Sequence, residues 1–93
     1  MLQLLKALDY TNSKGIMHRD IKVNNLSIDH ANRRLTILDW GLAEFYHPDQ
    51  EYFPSVATLP YRGPELLLNK DKIKYNYAVD MWSVGMVFAE LIF

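Results

Sequence analysis

The run His18-Arg19-Asp20-Ile21-Lys22-Val23-Asn24-Asn25 places a carboxylate, an ammonium and an amide close together, and Asp39-Trp40-Gly41 adds a second carboxylate beside a glycine. Moving a phosphoryl group needs these types: an acceptor for a hydroxyl proton, a cation on the moving phosphate, and hard oxygen ligands for magnesium. Asp20 is the candidate base, Lys22 the candidate cation, and Asn25 with Asp39 the candidate metal ligands. Any one of these has a plainer explanation, since an aspartate alone in a loop is more often a turn former and a lone lysine a solvated surface group. The weight lies in the ordered set: H-R-D-x-K-x-x-N, then D-x-G, then Gly63-Pro64-Glu65, then Asp80-x-Trp82-Ser83-x-Gly85.

Those residues have to be positioned by something. Residues 1–14 carry apolar side chains at Met1, Leu4, Leu5 and Leu8, which is helical spacing, and Gly15 suits the left-handed position just past a helix end. No capping residue precedes Met1, so the reading expects a helix already running where the sequence starts. Leu26 and Ile28 share one face of an alternating stretch, Asp29-His30-Ala31-Asn32 is a turn cluster, and Leu35 and Ile37 share a face of the returning strand. This hairpin is expected to deliver Asn25 at one strand's start and Asp39 at the other's end.

Residues 42–63 hold Pro48, Pro54, Pro60 and Gly63 without strong periodicity and read as a long loop. Pro64 opens a short helix through Glu65-Leu66-Leu67-Leu68-Asn69, and Lys70 to Lys74 reads as a solvated connector. From Asn76, a fair N-cap, the run to Phe93 is apolar on nearly every side, which predicts a buried helix. It is shorter than the ~20 apolar residues of a membrane span and carries Asp80 and Glu90. Asp80, once buried, must be hydrogen-bonded.

With 93 residues, 49% hydrophobic and 23% charged, the chain reads as globular and as one domain at most. A formal net charge of -1 gives no broad electrostatic reason to expect nucleic acid or an anionic membrane. Cysteine is absent, which excludes disulfides and thiolate chemistry and is compatible with an intracellular setting. The first residues lack the pattern of a signal peptide.

The ordered motif set resembles the protein kinases. The run Asp39-Trp40-Gly41-Leu42-Ala43-Glu44-Phe45-Tyr46-His47-Pro48, with Gly15-Ile16-Met17-His18, Ile28-Asp29-His30 and Tyr77-Ala78-Val79-Asp80-Met81-Trp82-Ser83, resembles the casein kinase II catalytic (alpha) subunit family over essentially the whole chain. That resemblance implies an α+β, mainly α, kinase C-terminal lobe: helix, catalytic loop, small β-hairpin, activation segment and buried helix. Residues 1–93 are then expected to be part of a kinase domain, with the N-terminal lobe and the remainder of the C-terminal lobe not included. The implied activity is transfer of the terminal phosphate of ATP or GTP, with Mg2+, to Ser/Thr of acidic protein substrates. A regulatory beta subunit that docks mainly on the N-terminal lobe, and a location in cytoplasm and nucleus, are implied with it.

By the same resemblance, Asp20 and Lys22 are catalytic, Lys22, Asn25, Ser27, Leu38 and Asp39 contact the nucleotide, and Asn25 and Asp39 hold the metal. Trp40, Gly41, Thr58 and Arg62 belong to the activation and substrate loop, with the Trp40 indole holding the loop and Thr58 hydrogen-bonding near Asp20. His18, Arg19, Glu65 and Asp80 are structural supports. Asp80 is expected to accept from the backbone around His18 and Arg19. Arg19 is a residue type that pairs with a phosphorylated loop residue, for which Tyr52, Ser55, Thr58 and Tyr61 are available. Glu65 lacks the arginine with which its counterpart pairs.

Several positions depart from the family pattern. Ser27 stands where a large apolar residue lies under the adenine, Leu59 where an arginine reads acidic substrates, and Val23-Asn24 where Pro-His is usual; Arg62 keeps the second basic position. The only glycines are Gly15, Gly41, Gly63 and Gly85, so these residues contain no glycine-rich phosphate loop, and no strand lysine with its helix glutamate is found. The competing expectation is therefore a truncated, catalytically inactive kinase-like fragment or binding module.

Overall fold

The computed structural model describes residues 2–54, 56–67 and 72–93. Helix α1 (Leu2–Ser13) buries Leu4 and Leu8, one turn apart, and leaves Leu5 toward solvent. Its last turn is closed by Lys14 N donating to Tyr10 and Thr11 carbonyls, and Gly15 (φ 78) turns the chain out of the helix. A side chain there would strain the left-handed backbone. The expected helix is thus present, one residue inside the predicted bounds at its C-terminal end.

Strand β1 (Ile16–Met17) follows, and the chain then runs through a single 3-10 turn, Val23–Asn25, into β2 (Leu26–Asp29). Strand β3 (Arg34–Ile37) returns antiparallel, with Leu26 opposite Ile37 and Asp29 opposite Arg34. The turn between them is tied by Asp29, whose Oδ2 accepts from Asn32 Nδ2 at 2.8 Å and whose Oδ1 accepts from the Asn32 amide at 3.3 Å. Those two donors hold the Asp29 carboxyl below its ordinary pKa range. Arg33 completes the turn in a left-handed conformation (φ 52).

The stretch expected to be a featureless loop contains more order than its sequence announces. Strand β4 (Glu44–Phe45) pairs antiparallel with β1, Ile16 opposite Phe45, and Tyr46 N donates to Gly15 O. Tyr52 and Ile73 exchange both backbone hydrogen bonds, at 2.7 and 2.9 Å. Residues Leu59–Tyr61 and Pro64–Leu67 form 3-10 turns. The latter replaces the expected helix Glu65–Asn69, of which Leu68 and Asn69 lie outside the described residues, as do Met1, Ser55, Lys70 and Asp71. Such pairings are made between residues far apart in sequence, so no local periodicity marks them. Ile73, within the expected solvated connector, is buried for the same reason.

Helix α2 (Ala78–Ile92) starts where Asn76 Oδ1 accepts from Ala78 N at 2.8 Å, which satisfies one of the amides a helix start leaves open. It buries Val79, Asp80, Ser83, Val84 and Val87. Met81, Trp82, Phe88, Leu91 and Ile92 are exposed. The fully buried helix expected from its apolar composition is therefore corrected: one face is covered and the other is open. The reason is that α1, the hairpin and the Leu59–Tyr61 turn pack it from one side only among the described residues.

Two apolar clusters result. Leu4, Leu8, Ile21, Ile37, Tyr61, Val84 and Val87 form one, and Met17, Tyr52, Val56, Leu66, Ile73, Tyr75 and Val79 the other. Fully buried side chains of this size each contribute about 1.5–3 kcal/mol. The polar loop His18–Asn25 runs between them, with Met17 sunk in one and Ile21 in the other. No helix among the described residues is long and apolar enough to cross a membrane.

Candidate active site

The polar loop is fastened from below by Asp80, a carboxylate with no exposed surface. Its Oδ2 accepts from His18 N and its Oδ1 from Arg19 N, both at 2.8 Å. Asn12, at the end of α1, adds a third donor to Oδ2 at 3.3 Å and also donates to Ile16 O at 2.9 Å. Charge-assisted bonds of this length are about twice as strong as neutral ones. They hold Arg19 in a left-handed conformation (φ 68) that a non-glycine residue takes up only when its surroundings impose it.

His18 is buried and uses both ring nitrogens. Nδ1 accepts from Asp20 N at 3.0 Å, so Nε2 carries the proton it donates to Leu38 O, also at 3.0 Å. One imidazole thus ties the residue before Asp39 to the backbone of Asp20. Trp40 stands edge-on to that ring, with centroids 4.4 Å apart and planes at 70°, and its indole N–H donates to Ile37 O at 3.1 Å.

Asn25 joins the two ends of the arrangement. Its Nδ2 donates to Asp20 O at 2.8 Å and to Asp20 Oδ2 at 3.0 Å, while its own carbonyl accepts from Leu38 N at 2.7 Å. Asp20, Asn25 and the strand end carrying Asp39 are therefore one hydrogen-bonded unit. Lys22 is extended (φ -160, ψ 164) and its Nζ donates to Thr58 Oγ1 at 3.0 Å, which brings the later loop onto the same face. Asp39 is exposed and left-handed (φ 55), and its Oδ1 accepts from Gly41 N at 3.3 Å.

Residues 1–93 match the family model described as the protein kinase domain. The chain belongs to the protein kinase family. Among the described residues it is a small α+β arrangement of two helices and two-stranded antiparallel sheets, and the family assigns it kinase activity at the level of a phosphotransferase.

Kinase domains generally use ATP and Mg2+, and the donor chemistry of this chain is compatible with that metal. Asn25 spends its amide N–H groups on Asp20, which leaves its amide oxygen without a hydrogen bond among the described residues. Asp39 Oδ2 is likewise unbonded among them. Both are hard oxygen donors, the type magnesium takes alongside water and phosphate. A cavity of about 430 Å³ lies against Ile16, Trp40, Ala43, Glu44 and Phe45, and Asp20, Lys22, Asn25 and Asp39 do not line it. Of the four, Asn25 is buried, Asp20 and Lys22 are partly exposed and Asp39 is exposed.

The loop after Asp39 is placed by contacts that sequence reasoning assigned differently. Arg19 Nε donates to Leu42 O at 2.7 Å and Nη1 to the Tyr75 hydroxyl at 3.0 Å. Two of the loop residues available to Arg19 are engaged elsewhere: Tyr52 is buried with its hydroxyl bonded to Phe45 O and His47 N, and Tyr61 is buried against Glu90. Thr58 meets Lys22, two residues beyond Asp20, and Ser55 lies outside the described residues. Arg62 Nε donates to Val56 O and Ala57 O, at 3.1 and 3.2 Å, and so braces the left-handed Ala57 (φ 64). Glu65 folds its carboxylate against Gly63, where a Cβ would come within 2.5 Å of Oε2. Ser27 and Leu38 are exposed at the strand ends nearest Asn25.

Asn12 and Tyr75 were not foreseen. Asn12 continues the Leu4, Leu8 spacing by one more turn, so a polar residue on an otherwise apolar stripe was the available signal. Tyr75 lies just past the stretch read as solvated, and its importance lies in a contact with Arg19 that no spacing announces.

Proposed function

We propose that this chain supplies the catalytic loop and magnesium loop of a Ser/Thr protein kinase of the casein kinase II alpha type, acting on hydroxyls in acidic proteins. The observation that carries the reading is the unit built by Asn25, whose side chain holds the Asp20 carboxylate while its backbone holds the strand end that bears Asp39. The residues lie in the middle of a kinase C-terminal lobe in this reading.

In the reaction the acceptor hydroxyl oxygen bonds to the terminal phosphorus and the bond from phosphorus to the ADP oxygen breaks. Asp20 receives the hydroxyl proton at Oδ1, the oxygen that Asn25 leaves unbonded, while Oδ2 is fixed by the amide. Proton transfer comes late because a loose transition state needs little prior deprotonation. Lys22 places its ammonium on the transferring phosphate, and Thr58 holds it on that face meanwhile. Asn25 Oδ1 and Asp39 Oδ2 would hold magnesium, which when bound supplies positive charge to the phosphate oxygens. Trp40, fixed to Ile37 O and His18, keeps the strand end in place without a phosphorylated loop residue.

Substrate choice in this reading is for acidic sequences, with Arg62 as the remaining basic group; its guanidinium end beyond Nε has no hydrogen bond among the described residues. Leu59 is exposed and offers an apolar contact in place of a charge. Use of GTP beside ATP, a regulatory beta subunit, and a cytoplasmic and nuclear location belong to the same proposal and rest on the motif resemblance. The test is phosphate transfer to an acidic Ser peptide by the polypeptide that carries these residues together with a glycine-rich loop and strand lysine. Asp20→Asn is expected to lower turnover by about 10³ or more while substrate binding stays within a few-fold. Unchanged turnover would remove Asp20 from the mechanism.

A further inference from the structure

At the turn end of the β2–β3 hairpin, roughly 13 Å along the strands from Asn25, lies a second surface with its own character. A cavity of about 320 Å³ is lined by Leu2, Gln3, Ile28, Arg33, Arg34 and Leu35. Its floor is apolar: Leu2 and Ile28 are 64% and 53% exposed, and Leu35 is half-buried. Its rim is basic, and no carboxylate takes part in the lining.

Two features shape that basic rim. Asp29, the strand partner of Arg34, does not line the cavity, and both its oxygens accept from Asn32 in closing the hairpin. Gln3 meanwhile acts as a short artificial strand edge. Its Oε1 accepts from Leu35 N at 2.7 Å and its Nε2 donates to Arg33 O, which fixes the backbone between the two arginines to α1. The left-handed Arg33 is thereby held in one conformation beside Arg34. Ordering a partner against a surface already fixed in this way costs less entropy than ordering both sides.

We propose that this groove is a docking site for an acidic, amphipathic peptide segment of a partner protein. One or two large apolar side chains would lie on Leu2, Ile28 and Leu35, and flanking carboxylates would meet the two guanidinium groups. Arginine suits that task because its planar fork takes a carboxylate through two parallel hydrogen bonds. The apolar floor distinguishes this partner from nucleic acid, which would leave the exposed Leu2 and Ile28 unused. The proposal concerns binding alone and does not depend on the phosphotransfer reading.

The test is fluorescence anisotropy with a labelled peptide in which a Leu-Phe pair is flanked by glutamates. Saturable binding is expected, with the double variant Arg33→Glu/Arg34→Glu weakening it at least tenfold and Ile28→Ser weakening it several-fold. Both sites are on the surface, and circular dichroism checks that each variant keeps the wild-type fold. Arg33→Lys/Arg34→Lys should recover part of the loss, since charge returns without the fork. Equal affinity for a polyglutamate peptide lacking apolar residues would overturn the proposal by reducing the surface to bare charge. Undiminished binding in the charge-reversed variant, or stronger binding to duplex RNA or phosphatidylserine vesicles than to the peptide, would overturn it as well.

Discussion

The loop His18–Asn25 and the described residues of the segment from Trp40 to Arg62 both run without long regular elements, and they are fixed by different chemistry. The first hangs on one buried carboxylate. Asp80 takes the amides of His18 and Arg19 at 2.8 Å, and Asn25 then closes the loop onto Asp20. The second is tied by tyrosine hydroxyls and guanidinium groups to backbone carbonyls: Tyr52 to Phe45, Tyr75 to Phe53, Arg19 to Leu42, Arg62 to Val56 and Ala57. A buried ion holding two amides is costly to disturb, because removing it strands polar groups away from water. The second set is spread over separate side chain to carbonyl bonds, each contributing about 1 kcal/mol. The His18–Asn25 loop is therefore the more firmly fixed of the two.

The sharpest way to break that contrast is Asp80→Asn. An amide nitrogen must then face a backbone N–H, so a loss of about 3–5 kcal/mol is expected, read as a lower urea midpoint. Hydrogen exchange at His18 and Arg19 should lose its protection in the same variant. A loss under about 1 kcal/mol would show that the carboxylate is not what fixes the loop.

Tyr75→Phe tests the other side. It removes the acceptor of Arg19 Nη1 and the donor to Phe53 O, so about 1–2 kcal/mol is expected. Exchange protection should fall around Phe53 and Leu42 and persist at His18. Loss of protection in the catalytic loop as well would merge the two regions into one unit.

The smallest effect is an alkaline one. Burial is the main cause that raises the pKa of Tyr75, ahead of the opposing Arg19 contact, and the hydrogen bond to Glu90 is the main cause for Tyr61. Because both folded values lie above the ordinary 10.0, the stability they lend is fully present below pH 10 and is lost as pH rises through the folded values. Ultraviolet titration should show phenolate forming later in the folded chain than in denaturant, with Tyr75→Phe deleting part of the late fraction. Coincident folded and denatured curves would contradict this.

The sequence was legible where chemistry is local. Leu4 with Leu8, Gly15 after its helix, the Asp29–Asn32 turn and Asn76 before α2 each act through residues within a few positions. The order of Asp20, Lys22, Asn25 and Asp39 was equally plain. It failed where a contact joins distant positions, as in β1 with β4, Tyr52 with Ile73 and Arg19 with Tyr75.

From its residues alone, then, the chain declares an ordered set of polar side chains of the kinase pattern, along with the helices and hairpin that carry them, because periodicity and turn chemistry are properties of neighbours. Only tertiary packing decided that Asn12 joins Asp80 in clamping the loop, that the Thr58 hydroxyl meets Lys22, and that α2 shows one covered and one open face. Burial and long-range hydrogen bonds are set by what arrives from elsewhere in the fold, and no local pattern encodes that arrival.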